Sequence, residues 1–260
     1  MAGSDLKDKI RRGDIVVGCS LLATAGNFGP KPADRARIEQ LVNDYKYDFF
    51  TVDSQHMPYS EEKLFELCAM AAEFDVPVQL RLKSPKWGYM IGGILDLNLG
   101  GVELPQCDTE EQAADAVENF YYPQIGKRGW GGVAYKQGWT GGDEYAHSVK
   151  TRTEYADWWS HAGVLMLQVE SIEAVVNART LAKPGVDCLS WGAHPVSNDL
   201  AFSREGHPEF PLKTDQECLE HMIELLKGSD TKVCMRSGAR SNREHYQGLG
   251  VTVFMERAEV

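Results

Sequence analysis

The chain has 260 residues, of which 43% are hydrophobic and 25% are charged, and its formal net charge is −11 at pH 7. These proportions are typical of a globular protein with a large core, and the acidic balance argues against nucleic-acid or anionic-membrane partners. No apolar run reaches the roughly 20 residues of a membrane span, and the scattered cysteines form no CxxC pair that would favour a zinc knot or disulfide framework. We therefore expect a cytoplasmic protein with no membrane partner.

Apolar runs typical of buried strands recur along the chain, and helical patterns separate most of them. The predicted strands lie at residues 14–20, 48–52, 76–82, 100–104, within 163–171, and at 186–191, 231–235 and 251–255. The predicted helices lie at residues 34–43, 60–74, 90–95, 110–120, 172–181 and 215–226. A glycine-rich segment at 124–142 predicts a long loop, which inside a compact domain is usually functional or disordered.

The stretch GVLMLQVES at 163–171 places polar groups at the end of an apolar run. A continuous apolar run suits a parallel strand that helices cover on both faces. Gln168 and Glu170 stand at its carboxyl end, where such sheets bind their ligands. Glu170 could equally be an exposed carboxylate that the dipole of the following helix favours.

Eight strands that alternate with helices predict an α/β protein of the (β/α)₈ barrel class. No GxGxxG follows the first strand, which argues against a dinucleotide-binding sheet. No linker, low-complexity tract or charge block marks a boundary, so we predict a single domain over residues 1–260.

Several chemically active residues follow predicted strands. Because the carboxyl ends of barrel strands share one mouth, such residues converge there from distant parts of the sequence. The residues in this position are Asp53, His56, Arg81, Gln168, Glu170, His194 and Asp199. Carboxylates with a few waters suit Mg²⁺ or Mn²⁺ better than zinc, and an arginine can clamp a carboxylate or a keto oxygen.

Each of these residues also has a plainer interpretation. His56 could be an ordinary loop histidine, and Asp53 could bond its own backbone in a turn. Arg81 could pair with a helix carboxylate, and Asp199 could cap a helix. One such residue at a strand end indicates little, but several at one rim favour a functional site.

Four segments together resemble one known family. They are DSQH at 53–56, VQLRL at 78–82, YYPQIGKRGWGG at 121–132 and LQVE at 167–170. They are similar to the strand-two Asp-x-x-His motif, the strand-three arginine, the YPPxGxRGxG segment and the VQIE strand of the HpcH/HpaI class II pyruvate aldolases. These are metal-dependent enzymes on a (β/α)₈ barrel. The resemblance covers about residues 14–255, and the segment at 121–132 is its most specific match.

The chain departs from the family pattern at strand six and after strand eight. The strand-six GPADLS motif appears only in altered form, as GAHPVSNDLAFS at 192–203, so His194 lies in an insertion and could approach the metal or the substrate. Family members usually add a helix after strand eight, and we expect that helix to be truncated here.

The resemblance implies reversible cleavage of a 4-hydroxy-2-oxo acid into pyruvate and an aldehyde. It implies a divalent metal ion (Mg²⁺, Mn²⁺ or Co²⁺) on Glu170 and Asp199, and catalytic roles for Asp53, His56 and Arg81, with Asp53 orienting the histidine. The small-molecule partners would be the 2-oxo acid and the aldehyde, and the assembly would be a homo-oligomer. The substrate-binding residues would be Gln168, Gly192, Ala193 and Arg128.

Other functions stay open at this point. A lyase for citryl or acyl-CoA substrates would use the same metal pair but would need a basic groove for CoA. A decarboxylating or bond-forming enzyme of the pyruvate/phosphoenolpyruvate superfamily would also keep the metal site. A non-catalytic barrel that binds 2-oxo acids would have no reason to keep His56, Arg81, Gln168 and Glu170 together.

Overall fold

The computed structural model describes residues 5–21, 33–131, 139, 148–192, 199–236 and 243–257. Eight parallel strands follow one another in chain order around a closed barrel, and the last strand pairs with the first. The strands are β1 (Val16–Leu21), β2 (Phe49–Asp53), β3 (Val78–Arg81), β4 (Gly101–Leu104), β5 (Val164–Val169), β6 (Cys188–Trp191), β7 (Lys232–Arg236) and β8 (Val253–Arg257). The predicted (β/α)₈ barrel is confirmed.

Helices lie between the strands, and one precedes the barrel. They are α1 (Asp5–Arg12), α2 (Arg35–Asn43), α3 (Glu61–Ala72), α4 (Ile91–Leu95), α5 (Glu110–Phe120), α6 (Val149–Ala162), α7 (Ile172–Val176), α8 (Ala178–Leu181), α9 (Asp199–Glu205), α10 (Asp215–Leu226) and α11 (Arg243–Gly248). A 3₁₀ helix, Pro85–Met90, precedes α4. No helix in these ranges is both long and apolar enough to cross a membrane. The cytoplasmic location, the homo-oligomer and the single-domain extent stay predictions.

Two helices begin where the sequence predicts because capping boxes start them. Thr109 accepts a hydrogen bond from the backbone N–H of Gln112, and the Gln112 side chain accepts one from Thr109 in return. Thr214 and Glu217 form the same arrangement at the start of α10. Each box satisfies backbone donors that the first helical turn leaves unpaired, so α5 and α10 begin at these residues.

The predicted helix at 172–181 is divided into α7 and α8 at Asn177. The Asn177 side chain donates a hydrogen bond to the backbone carbonyl of Asp108, 2.9 Å away. This tertiary contact ties the break between the two helices to the segment that follows β4. Four further helices, α1, α6, α9 and α11, were not among the predicted elements.

The lower half of the barrel interior, at the amino ends of the strands, is apolar. Alternate residues of a strand point to the same side, so every second strand residue enters the interior. Helix α1 closes this end with Leu6 and Ile10, which pack against the interior side chains. The other members of this interior cluster are Val16, Phe49, Val164, Met166, Cys188, Cys234, Val253 and Met255.

A buried lysine ties α1 to the barrel. Lys7 Nζ donates hydrogen bonds to Tyr121 Oη at 2.7 Å and to the Gly163 carbonyl at 2.8 Å, and lies 3.2 Å from Asp187 Oδ2. That carboxylate also accepts the backbone N–H of Leu165, the second residue of β5. Burial lowers the pKa of Lys7, and the Asp187 carboxylate opposes this shift. The network therefore joins α1, α5, β5 and the segment before β6.

We predict that Lys7→Met lowers the free energy of unfolding by about 3–5 kcal/mol, because it leaves the buried Asp187 carboxylate without its nearest cation. Urea unfolding followed by circular dichroism measures the change. Lys9→Met is the matched control, since the Lys9 side chain is 41% exposed where it pairs with Asp48. Exposed pairs contribute only about 0–1 kcal/mol, so equal losses in the two variants would contradict the prediction.

Candidate active site

An arginine, an aspartate and a glutamine meet at the carboxyl ends of β2, β3 and β5. Arg81 donates from Nε to Asp53 Oδ1 at 2.9 Å and from Nη2 to Asp53 Oδ2 at 2.5 Å. Its Nη1 lies 3.3 Å from Gln168 Oε1, which accepts from it. Adjacent strands place Asp53 and Arg81 side by side, since the two residues are partners in the β2–β3 register. These two parallel hydrogen bonds to one carboxylate fix the plane of the Arg81 guanidinium.

The charge of Arg81 keeps its aspartate ionised. Burial by itself raises the pKa of Asp53, but the hydrogen bonds and positive charge of Arg81 outweigh it, so the pKa lies below its ordinary value. Arg81 is only 8% exposed. Because the pair is shielded from water, its Coulomb attraction is stronger than that of a surface pair.

Glu170 follows β5 directly and has a different electrostatic environment. Burial raises its pKa to about 7; the negative charges of Glu103 and Asp199 add to this shift, and Arg81 opposes it. One carboxylate oxygen accepts the backbone N–H of Gln106 at 3.3 Å. Glu170 therefore lies within electrostatic reach of three charged side chains, and no cationic side chain in the described part of the chain forms an ion pair with it.

Gly192, directly after β6, is packed against this carboxylate. A Cβ atom at this position would lie 2.4 Å from Glu170 Cγ and 3.0 Å from Gln168 Nε2. No side chain fits there without displacing Glu170. The backbone N–H of Gly192 donates to the Val169 carbonyl at 3.1 Å, so it is already engaged. Gly192 therefore lies at the site with its backbone packed against Glu170, and its N–H group is not free to bind a ligand.

Asp199 and His56 also reach the mouth of the barrel. Asp199 is the exposed first residue of α9, and its charge acts on Glu170. His56 is exposed in the turn after β2. In the described part of the chain no hydrogen bond joins His56 to Asp53, whose carboxylate accepts from Arg81 and from the backbone of Gln55. The expected orientation of His56 by Asp53 is therefore not seen. Ala193 and His194 lie outside the described residues.

The structure does not bring Arg128 to this site. Arg128 is 2% exposed, donates to Asp96 at 2.7 Å and packs against the rings of Tyr122 and Trp159. Trp159 lies in the last turn of α6 beside Gly163, next to the amino end of β5. Ligands of barrels bind at the opposite end of the strands, so this position of Arg128 does not support the expected contact with the substrate.

Two charged residues of the mouth were not identified from the sequence. Glu103 of β4 is buried, and Arg236 at the end of β7 donates to it through Nε and Nη2. The signal was present, because GGVEL and VCMRS each place one charged residue inside an apolar strand. Neither residue lies in the four segments that resemble the family motifs, so those motifs did not indicate them.

The described charged side chains at the mouth carry a net negative charge that a divalent cation could neutralise. The described carboxylates are those of Asp53, Glu103, Glu170 and Asp199, and the described guanidinium groups are those of Arg81 and Arg236. Among these described groups, with Glu170 ionised, the formal excess is two negative charges. Among the residues that the structure describes, no three His, Cys, Asp or Glu side chains converge on one point. A cation on two carboxylates would therefore also need water or ligand oxygens, as Mg²⁺ commonly does.

Sequence comparison finds relatives over most of the chain. The sequence model of the HpcH/HpaI aldolase/citrate lyase family matches residues 32–223. A 2-keto-3-deoxy-L-rhamnonate aldolase of Salmonella paratyphi B is 26% identical over 213 residues, which are 80% of this chain and 72% of that protein. The same aldolase of Salmonella newport has equal identity and coverage.

Solved structures share the fold. An HpcH/HpaI aldolase from Desulfitobacterium hafniense superposes with a TM-score of 0.76 at 20% identity, covering 97% of this chain and 89% of that one. The citrate synthase SbnG superposes with a TM-score of 0.72 at 20% identity, covering 98% and 90%. At these identities the likeness supports the barrel and carries no information about substrate.

We predict that Gly192→Ala weakens divalent-cation binding by about 10–100-fold, because the added methyl group displaces Glu170, and changes beside metal ligands have effects of this size. Titration calorimetry with Mn²⁺ measures the change. Gly93→Ala is the matched control, since a Cβ atom there meets nothing within 4 Å. Parent affinity in Gly192→Ala would place the cation away from Glu170.

Proposed function

This chain belongs to the HpcH/HpaI aldolase/citrate lyase family, and from that premise we propose that it reversibly cleaves a 4-hydroxy-2-oxo acid into pyruvate and an aldehyde. The observation that carries the proposal is the meeting of Arg81, Gln168 and Glu170 at one end of the barrel. The Salmonella relatives are named as aldolases of a 2-keto-3-deoxy acid, which has the same reacting group. A carbon–carbon lyase needs a site that stabilises an enolate, and these residues provide one.

Glu170 and Asp199 would hold a divalent cation in this proposal. The carboxylate pair has the hard oxygen donors that Mg²⁺, Mn²⁺ and Co²⁺ accept, and the described side chains of the mouth have a negative excess that such an ion would neutralise. When bound, the ion supplies a Lewis acid for the negative charge that develops on the keto oxygen. Gln168, whose Oε1 accepts from Arg81, would fix the position of the substrate beside this pair.

Arg81 would bind the keto oxygen of the 2-oxo acid and stabilise its negative charge. Asp53 accepts from Nε and Nη2 on one edge, Gln168 accepts one N–H of Nη1, and the N–H groups that remain would bind the substrate. Because the guanidinium is already oriented and shielded from water, little reorganisation is needed during the reaction. Asp53 thereby acts through Arg81, by holding it, in place of the orientation of His56 that the sequence suggested.

His56 would take the proton of the 4-hydroxyl group during cleavage and return it during condensation. Its exposed position after β2 is next to the mouth, where the aldehyde half of the substrate leaves. An imidazole can both accept and donate a proton, which suits a group with this double role.

The proposal is tested by measuring pyruvate release. Purified protein with Mg²⁺, Mn²⁺ or Co²⁺ is mixed with a panel of 4-hydroxy-2-oxo acids that differ in the aldehyde half, and lactate dehydrogenase with NADH reports the pyruvate. Release should stop on addition of EDTA, and Glu170→Gln should lose it because the variant keeps the shape but not the charge. Absence of release from the whole panel with all three metals would contradict the proposal.

Two substitutions in this assay should separate the roles of Arg81 and His56. Arg81→Lys keeps a charge but loses the planar fork, so we expect kcat to fall by roughly 10²-fold or more. His56→Ala should lower cleavage by about 10²–10⁴-fold, as loss of a general base does, while calorimetry shows nearly unchanged pyruvate binding.

The matched control for His56 is His161→Ala. His161 is another exposed histidine, and its ring contacts only its own helix α6, through Asp157 and Ser160, in the contacts described. It should keep the parent activity. A parent rate of cleavage in His56→Ala across the pH range would exclude this proton role, and normal turnover in Arg81→Lys would make the arginine structural.

A further inference from the structure

One residue at the mouth has a backbone conformation that its side chain disfavours. Gln106 follows β4 after Pro105, and its φ of +48° lies in the left-handed region. A residue with a Cβ atom is sterically strained there, so glycine is the usual occupant. Proline before such a residue is typical of a type II turn, in which glycine or asparagine is common at the following position. The chain therefore has a glutamine where the backbone alone would favour glycine.

Three other residues with a Cβ atom have a left-handed φ in the part of the chain that the structure describes, and helix ends account for them. Lys46, Asp75 and Asn98 lie shortly after α2, α3 and α4. A left-handed residue after the last turn of a helix lets the chain satisfy the free carbonyl groups there. All three precede strands, at the amino end of the barrel. Gln106 follows a strand and ends no helix, so this explanation does not apply to it.

The left-handed backbone turns two successive N–H groups toward the end of β5. The N–H group of Gln106 donates to Glu170 Oε2 at 3.3 Å, and that of Cys107 donates to the Gln168 carbonyl at 3.0 Å. Successive N–H groups of an extended strand point to opposite neighbours, so a straight continuation of β4 could direct only one of them to β5. The conformation at Gln106 makes both contacts possible.

The turn that contains Gln106 is held firmly against β5 and α7. Cys107 is fully buried, and Asp108 accepts a hydrogen bond from Ser171 Oγ at 2.6 Å. The backbone carbonyl of Asp108 accepts from the Asn177 side chain at 2.9 Å. These contacts give the N–H group of Gln106 a fixed direction. A backbone donor held in this way loses no side-chain rotamer freedom when it binds.

Glu170 is restrained from a second direction by Gly192. A Cβ atom at Gly192 would lie 2.4 Å from Glu170 Cγ and 2.9 Å from its Oε1, so the glycine backbone limits where the side chain can lie. The N–H group of Gln106 then limits the rotation of the carboxylate at the end of that side chain. Strained backbone conformations persist where the surrounding structure holds them, and they cluster at functional sites.

We infer that Gln106 is a positioning residue, whose left-handed backbone directs its N–H group to Glu170 and orients that carboxylate for a divalent cation. The inference rests on the proposed function, in which Glu170 and Asp199 hold the cation. It assigns this role to the backbone of Gln106 and not to its side chain. Substitutions at Gln106 should therefore act according to the backbone conformation that each new residue tolerates.

Two substitutions separate the backbone of this residue from its side chain. Gln106→Val adds a β-branched side chain, which is rarely found at positive φ, so the backbone should leave the left-handed region and turn its N–H group away. Titration calorimetry should show an affinity for Mn²⁺ that is about 10–100-fold weaker, as for other changes beside a metal ligand. Gln106→Gly keeps the N–H group and tolerates this φ, so its loss of affinity should be about threefold at most.

The matched controls are the same two substitutions at Lys46. Lys46 is exposed like Gln106, has a φ of +58° and precedes β2 at the opposite end of the barrel. Lys46→Val should lower the midpoint of urea unfolding about as much as Gln106→Val does, because both substitutions disfavour a left-handed backbone. The affinity of Lys46→Val and Lys46→Gly for Mn²⁺ should stay at the parent value. The comparison separates an effect on the cation site from a general loss of stability.

The possible results distinguish the inference from the proposed function. Parent affinity for Mn²⁺ in Gln106→Val, with binding lost in Glu170→Gln, overturns the role of Gln106 and leaves the proposed cation site in place. Equal losses in Gln106→Gly and Gln106→Val also overturn it, because the side chain must then be the group that acts. An equal loss in Lys46→Val overturns it as well, since the effect would follow stability alone. Failure of the wild type to bind Mn²⁺ overturns the proposed cation site and the inference with it.

Discussion

A closed barrel of eight strands must fill its interior with its own side chains, and this constraint organises the rest of the structure. At the amino ends of the strands the interior is apolar, and α1 seals it with Leu6 and Ile10. Lys7 on the same helix is buried, so its charge must be matched by Asp187 and by hydrogen bonds. The seal and the ion pair together join the first helix to β5 and β6, which carry Glu170 and Gly192 at their other ends.

At the carboxyl ends of the strands, charged side chains fill the interior of the barrel. Two ion pairs lie inside the barrel here, Arg81 with Asp53 and Arg236 with Glu103. In each pair the carboxylate fixes the orientation of the guanidinium. Among the residues that the structure describes, Glu170 has no such partner, and burial with like charges raises its pKa to about 7. A site that keeps one carboxylate unpaired among others is unfavourable without a cation. Under the proposed function, the arrangement would trade some stability for the ability to hold a cation and an anionic ligand together.

The site could be predicted in part because its residues follow apolar strands. Asp53, Arg81, Gln168 and Glu170 stand at strand ends in the sequence, and the structure brings them to one mouth. The four segments that resemble family motifs include these positions, whereas Glu103 and Arg236 lie outside those segments. Arg128 is the opposite case, because it belongs to a family motif but does not lie at the mouth. Aromatic rings and Asp96 hold it near the amino end of β5.

The sequence by itself determined the alternation of strands and helices, the closed barrel class and the end of the barrel at which polar residues collect. These follow from local hydrophobic period and from capping residues, which act over a few positions along the chain. Only the tertiary structure decided which charged side chains pair with each other. It paired Asp53 with Arg81 instead of His56, and Glu103 with Arg236, which is 133 residues away. Such pairings depend on the stagger of strands around the closed sheet and on the reach of each side chain across it, and no local pattern encodes either.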